Sequence, residues 1–157
     1  MPDGPRYDDD FYAWTQYQAE VLRSMTTSDD RFDREHVAEE IEALGRMELH
    51  DVFGLVRRVL SSFLLIAHGP ADRSRYHWMY EIVGARAELE DKMSPTIWLL
   101  TQAQLPELYR TAREIAQLRL RELSAFEAAD DLPLRSAYSL DDACADDWYP
   151  EPPGEAK

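Results

Sequence analysis

The sequence predicts an all-α protein, a helical bundle with four main helices and a short helix near the C-terminus. Apolar residues recur every three or four positions in long segments, and no segment alternates apolar and polar residues as a strand does. Asp, Ser, Gly and Pro stand at the ends of these segments, where helices begin and end. The 157 residues, 45% of them hydrophobic, suffice for one domain with a buried core.

The first helix is predicted over about residues 8–24, with Asp8 or Asp9 as its N-cap. Its apolar face is formed by Phe11, Trp14, Gln18, Val21 and Leu22. The small polar residues at 26–30 then predict a connection.

The second helix is predicted from Asp33, an N-cap residue, to His68, because Gly69 and Pro70 form a stop signal. An unbroken helix of this length would be about 54 Å long. Since few globular helices are so long, we expect a kink near Gly45 or Gly54.

The third helix is predicted over about residues 72–92 and has two neighbouring apolar stripes. The first stripe contains Trp78, Ile82, Ala85 and Leu89, and the second contains Tyr76, Met79 or Tyr80, Val83 and Ala87. A helix with so wide an apolar surface is expected to be largely enclosed by the rest of the protein.

The remaining helices are predicted from their caps and prolines. Ser94 and Pro95 begin a helix, and Pro106 is expected to divide it into helices at about 95–104 and 106–124. Ser139 caps a short helix that ends at about Asp146. We expect a single helical domain at 7–150, flanked by flexible tails at 1–6 and 151–157, which are acidic and contain proline.

Charge and cysteine content exclude some classes of function. The net charge of −14 repels nucleic acid and anionic membrane surfaces, so neither is an expected partner. No apolar segment approaches the about 20 residues that cross a bilayer, and the N-terminus lacks the pattern of a signal peptide. Cys144 is the single cysteine, so no disulfide can form within the chain. These features favour a cytoplasmic location.

The first candidate site is a polar cluster formed by His36, Glu39 and Glu40. His36 and Glu40 lie one helical turn apart and can share a face, as the ligands of a metal do. However, di-metal bundles use Glu-x-x-His motifs and zinc hydrolases use His-Glu-x-x-His, and the sequence contains neither. A solvated, charged helix face is therefore the favoured interpretation, and we expect no metal and no cofactor.

The second candidate site is a basic corner where the second helix ends and the third begins. Arg57, Arg58 and His68 lie near the end of the second helix, and Arg73, Arg75 and His77, the candidate anion-binding residues, open the third. Arginines beside a helix N-terminus can bind a phosphate or carboxylate group. Ion pairs with the many acidic residues are the favoured alternative, because no glycine-rich loop accompanies these arginines.

Several motifs link the chain to a known family. They are Tyr7-Asp-Asp-Asp-Phe-Tyr-Ala-Trp14, Asp33-Arg-Glu-His-Val-Ala-Glu-Glu-Ile-Glu-Ala-Leu-Gly45, Arg73-Ser-Arg75 with Trp78, Tyr109-Arg-Thr-Ala112, and Tyr138-Ser-Leu140 before Trp148. With them, residues 7–150 resemble the bacterial family catalogued as domain of unknown function 29. The resemblance implies an all-helical fold and names no activity. Phe63, Ile66 and Ala67 depart from the residues that the family tends to have there, so a site at those positions would be altered.

The sequence leaves the biochemical function unknown and favours a non-enzymatic interaction or regulatory module, with an unknown protein partner or with self-association through a spare apolar helix face. One alternative is a metal-dependent or hydrolytic bundle enzyme that uses Glu39, Glu40 and a histidine. Another is an anion-binding protein that uses Arg73 and Arg75. The enzyme would place its carboxylates in an internal pocket, whereas the module would leave them solvated and expose an apolar patch.

Overall fold

The computed structural model describes residues 3–72 and 74–154, and six helices and no strand lie in that part of the chain. The helices are α1 (Phe11–Ser24), α2 (Arg34–His68), α3 (Ser74–Lys92), α4 (Pro95–Glu122), α5 (Phe126–Asp130) and α6 (Leu140–Cys144). The predicted all-α bundle with four main helices and a short C-terminal helix is confirmed. The sequence did not predict the five-residue helix α5.

The N-cap of α1 is Asp10, and the prediction of Asp8 or Asp9 was wrong. The Asp10 carboxylate accepts hydrogen bonds from the backbone N–H of Ala13 at 3.0 Å and of Thr96 at 2.8 Å. Burial alone would raise the pKa of Asp10, but these hydrogen bonds hold it below its ordinary value. One carboxylate therefore joins the starts of α1 and α4, which sequence spacing cannot reveal.

The helix α2 is the central element and runs without interruption through Gly45 and Gly54. Asp33 caps it as predicted and accepts a hydrogen bond from the His36 backbone N–H at 3.3 Å. Gly45 is buried against α1, because a Cβ at this position would overlap the Thr15 hydroxyl oxygen. The glycine thus permits close packing of the two helices.

The core lies between the C-terminal half of α2 and the helices α3 and α4. Its largest fully buried side chains are Phe63, Leu60, Leu64, Ile82, Leu89, Ile97, Leu120 and Leu140. No helix within the described residues is long and apolar enough to cross a membrane.

The helix α4 contains Pro106, so the prediction that this proline divides residues 95–124 into two helices was wrong. Pro106 has no N–H to donate to the Gln102 carbonyl. Both residues are exposed, so water can bind the free carbonyl, and buried residues on either side, among them Thr101 and Leu108, hold the helix in place. The predicted start at Ser94 is confirmed, since its hydroxyl accepts the Ile97 N–H.

The C-terminal segment returns across the bundle and is fastened to it by Arg86 of α3. The Arg86 guanidinium donates hydrogen bonds to the carbonyls of Ala143 at 3.0 Å, Asp142 at 2.9 Å and Trp148 at 2.8 Å. It also lies 5.1 Å from the centre of the Tyr149 ring. A buried arginine with carbonyl partners thus orders the chain beyond α6.

The two predicted tails are described only in part. Gly4 lies against the Tyr17 ring, and Pro152 is buried. Residues 1–2 and 155–157 lie outside the described residues, and the predicted domain limits of 7–150 stay a prediction.

Candidate functional site

The predicted polar cluster of His36, Glu39 and Glu40 lies on the exposed surface of α2. The His36 Nδ1 is 2.7 Å from the Asp33 carboxylate, and this hydrogen bond raises the pKa of His36. Within the described residues, no group of three or more His, Cys, Asp and Glu side chains is placed to hold a metal ion. The structure therefore leaves His36, Glu39 and Glu40 solvated.

The structure brings together only part of the predicted basic corner, since His77 lines one groove with Arg57 and Arg58. Arg73 lies outside the described residues. Arg75 is half-buried, and its Nε has no hydrogen-bond partner within the described part of the chain. His77 is exposed and lines a groove that does not include Arg75. An anion site built on these three residues stays a prediction.

The most conspicuous surface feature is an apolar stripe on α3. This outer face of α3 consists of Tyr76, Tyr80, Val83, Gly84 and Ala87, whose spacing of three and four residues places them on one side of the helix. Tyr76 is 67% exposed, Tyr80 77% and Val83 54%. The expectation that α3 is largely enclosed was therefore wrong.

The opposite, inner face of α3 is buried and holds the helix in position. Trp78, Ile82, Ala85 and Leu89 are at most 4% exposed and pack in the core. Their neighbour Arg86 binds the C-terminal segment. The outer face is thus displayed by a firmly packed helix, which lowers the entropy that a partner must remove on binding.

The five residues of the outer face of α3 are uncharged, although 31% of the residues in the chain are charged, and on this side of the helix a carboxylate appears only at the C-terminal end, at Asp91. A solvated helix face usually carries Lys, Glu, Arg or Asp. Contiguous exposed apolar surface of this kind marks sites of interaction with other molecules. Tyrosine is also one of the side chains that contribute most to binding at protein interfaces.

Gly84 makes the middle of this face flat. A Cβ at this position would have no other heavy atom within 4 Å, apart from the adjoining backbone. No packing among the described residues therefore requires a glycine here. A second helix can approach closely at a glycine, as small residues permit wherever helices pack.

Comparison with known sequences and structures places the chain in a family. The profile of the family described as "Domain of unknown function DUF29" matches residues 6–149. The chain belongs to the DUF29 family. The crystal structure of an alpha-helical protein of unknown function from Rhodospirillum rubrum ATCC 11170 is similar, with a TM-score of 0.80, 28% identity and 92% of each chain covered. No curated protein matches the chain significantly.

Family membership gives this DUF29 domain its fold and no activity, since the family and the similar structure are both described as of unknown function. The outer face of α3 could be recognised in the sequence, because its residues belong to the second apolar stripe of the predicted third helix. Spacing could not show which of the two stripes is buried, since both have helical period.

Proposed function

We propose that this DUF29 domain is a non-enzymatic interaction module that self-associates through the outer face of α3. The observation that carries the proposal is an exposed patch of five uncharged, mostly apolar residues on a helix whose inner face is buried. The solvated positions of Glu39 and Glu40 also favour a module over an enzyme, whose carboxylates would face an internal pocket.

The order of large and small residues supports a second copy of the chain as the partner. Most homodimers have two-fold symmetry, in which the same surface of both copies forms the contact. If two α3 helices pack antiparallel about an axis midway between residues 81 and 82, Tyr76 of one copy lies opposite Ala87 of the other. Tyr80 likewise lies opposite Val83. Each large ring thus meets a smaller side chain, so the face is complementary to itself in size.

The charge of the chain also supports this contact. Two copies with a net charge of −14 repel each other over most of their surfaces. Because the five residues of the outer face of α3 are uncharged, two copies can meet there without bringing like charges together at the centre of the contact. We therefore expect self-association to strengthen as salt screens the remaining repulsion, which reaches about 10 Å at 0.1 M ionic strength.

A cytoplasmic location belongs to the same proposal, and so does the exclusion of nucleic acid and anionic membranes as partners. The single cysteine fits a reducing compartment, and the excess of carboxylates opposes binding to phosphate-rich surfaces.

Substitution of Gly84 tests the proposal with little risk to the fold. A Cβ at this position meets no described atom beyond the adjoining backbone, so an arginine side chain starts in open space, and it adds a charge to the centre of the proposed interface. Light scattering coupled to size exclusion should give the mass of a dimer for the native chain and of a monomer for Gly84→Arg. Circular dichroism should be the same for both.

A matched control comes from Leu118, another apolar residue with 69% exposure, which lies on α4. Leu118→Arg adds the same charge away from α3 and should leave the dimer intact. A native chain that remains monomeric up to high protein concentration would contradict the proposal. A dimer that persists in Gly84→Arg would show that self-association uses another surface.

A further inference from the structure

A groove of about 560 Å³ lies where α2, α3 and α4 meet, and none of the residues of the outer face of α3 lines it. Ser61 and Ser62 of α2 line its floor and are buried. Trp78 of α3 and Ile115 of α4 add apolar surface. The volume lies in the range of sites that bind small molecules, about 300–1,000 Å³.

The rim of the groove is basic in an otherwise acidic chain. Arg57 and Arg58 of α2 and Arg119 of α4 line it, and Glu81 is the one carboxylate among the described residues of its lining. With His77 neutral, these described residues have a net charge of +2, against −14 for the whole chain. Such a concave positive surface concentrates small anions.

The arginines are largely free to bind a ligand. Arg57 forms no ion pair with any carboxylate in the described residues. The Arg58 Nε is 3.7 Å from the Glu81 carboxylate, and the Arg119 Nη1 is 2.8 Å from the exposed Glu122 carboxylate. Ion pairs at exposed sites contribute little stability, so a ligand can replace them at little cost.

Gly54 keeps the groove open beside Arg57. A Cβ at this position would lie 3.8 Å from the Arg57 Nη2, with no other atom within 4 Å apart from the adjoining backbone. The glycine costs helix stability in the middle of α2, since glycine is a poor helix former. The space that it provides lies directly beside the arginine without an acidic partner.

We propose that this groove binds a phosphate monoester of a small molecule with an apolar or aromatic body. The Ser61 hydroxyl already donates to the Arg58 carbonyl. The three guanidinium groups and the Ser62 hydroxyl still supply more donors than the two oxygens of a carboxylate can use, and they match the several oxygens of a phosphate. Trp78 and Ile115 supply the contact for the apolar body. A small ligand fits better than a nucleic acid, because the surrounding acidic surface repels an extended polyanion.

Isothermal titration calorimetry with phenyl phosphate tests the proposal, with inorganic phosphate and benzoate as comparison ligands. Phenyl phosphate should bind saturably and more tightly than inorganic phosphate, which lacks the ring, and than benzoate, which lacks the phosphate. Arg57→Gln should weaken the binding of phenyl phosphate by about tenfold, the effect of losing one charge-assisted hydrogen-bonding group. Gly54→Leu, which fills the groove, should weaken it at least as much.

The control for charge is Arg110→Gln, which removes an exposed arginine that pairs with Glu107 and Glu114 on α4 and does not line the groove. It should change the affinity by less than about twofold. An equal loss in Arg110→Gln and Arg57→Gln would overturn the proposal, because binding would then follow net charge alone. Absence of saturable binding by the folded native chain, or equal affinity for phenyl phosphate and inorganic phosphate, would overturn it too.

Discussion

The inner and outer faces of α3 are both apolar, but only the inner face is covered by the rest of the domain. On the inner face, Ile82 is fully buried and packs in the core. On the outer face, the adjacent Val83 is 54% exposed. Residues of similar character, one position apart, thus have different roles. The inner face should determine stability, and the outer face should determine association.

The largest effect on stability is expected from the buried arginine of α3. Arg86→Met removes the donors to the carbonyls of Ala143, Asp142 and Trp148. These backbone oxygens of the C-terminal segment then lack a hydrogen-bond partner from α3. We expect the free energy of unfolding to fall by about 3–5 kcal/mol, since hydrogen bonds to charged groups contribute about 1.5–3 kcal/mol each and the methionine recovers part of the packing. Urea denaturation measures this change. A loss below about 1 kcal/mol would contradict the anchoring role.

The next prediction compares how much the inner and outer faces of α3 contribute to stability. Ile82→Ala should lower the free energy of unfolding by about 2–5 kcal/mol, because it leaves a cavity in the core. Val83→Ala should change it by no more than about 0.5 kcal/mol, as is usual for an exposed site. Both are measured by urea denaturation in the Gly84→Arg background, so that self-association does not contribute. Similar losses at the two positions would contradict the assignment of the faces.

A smaller effect on stability is expected from substitution of two glycines, and its sign should differ between them. Gly84→Ala should raise the free energy of unfolding of the monomer by about 0.5–1 kcal/mol, because alanine is the better helix former and the added Cβ meets open space. Gly45→Ala should lower it, because its Cβ overlaps the Thr15 hydroxyl oxygen and α1 must move. Thermal unfolding of both variants measures the two signs, and a gain at both positions would contradict the close contact of α1 and α2.

The smallest effect is a pH dependence at the end of α2. Burial lowers the pKa of His68 below its ordinary value of 6.5. The unfolded chain therefore binds a proton more readily than the folded one, and this histidine costs stability as the pH falls below 6.5. His68→Gln should lose less stability than the native chain between about pH 7.5 and about pH 5.5. An identical pH dependence in both proteins would contradict this environment for His68.

Local signals in the sequence predicted the main helices, whereas contacts between helices decided what it could not predict. Asp33 and Ser94 are caps that act on their own helices, and both were predicted. Asp10 caps α1 while it also binds Thr96, so its position depends on how two helices meet. Pro106 was expected to end a helix, but burial on both sides of it outweighed the lost hydrogen bond.

In the candidate sites too, local signals could be predicted and contacts between helices could not. The residues of the outer face of α3 could be found from their spacing, but their exposure depends on which stripe α2 covers. The groove was predicted only in part. The basic corner already contained Arg57, Arg58 and His77, but Arg119 is far from them in the sequence, and only the packing of α4 on α2 brings it to the same site.

The central claim is that two α3 helices meet antiparallel, with Tyr80 of one copy opposite Val83 of the other. Sedimentation velocity of the variants Tyr80→Lys and Val83→Glu, alone and mixed in equal amounts, tests it most directly. Each variant alone should be a monomer, because it places an unpaired charge in the interface. The mixture should form a dimer, since the lysine of one chain then faces the glutamate of the other while the second Tyr80 and Val83 pair stays native. A mixture that remains monomeric, or single variants that dimerise like the native chain, would contradict this arrangement.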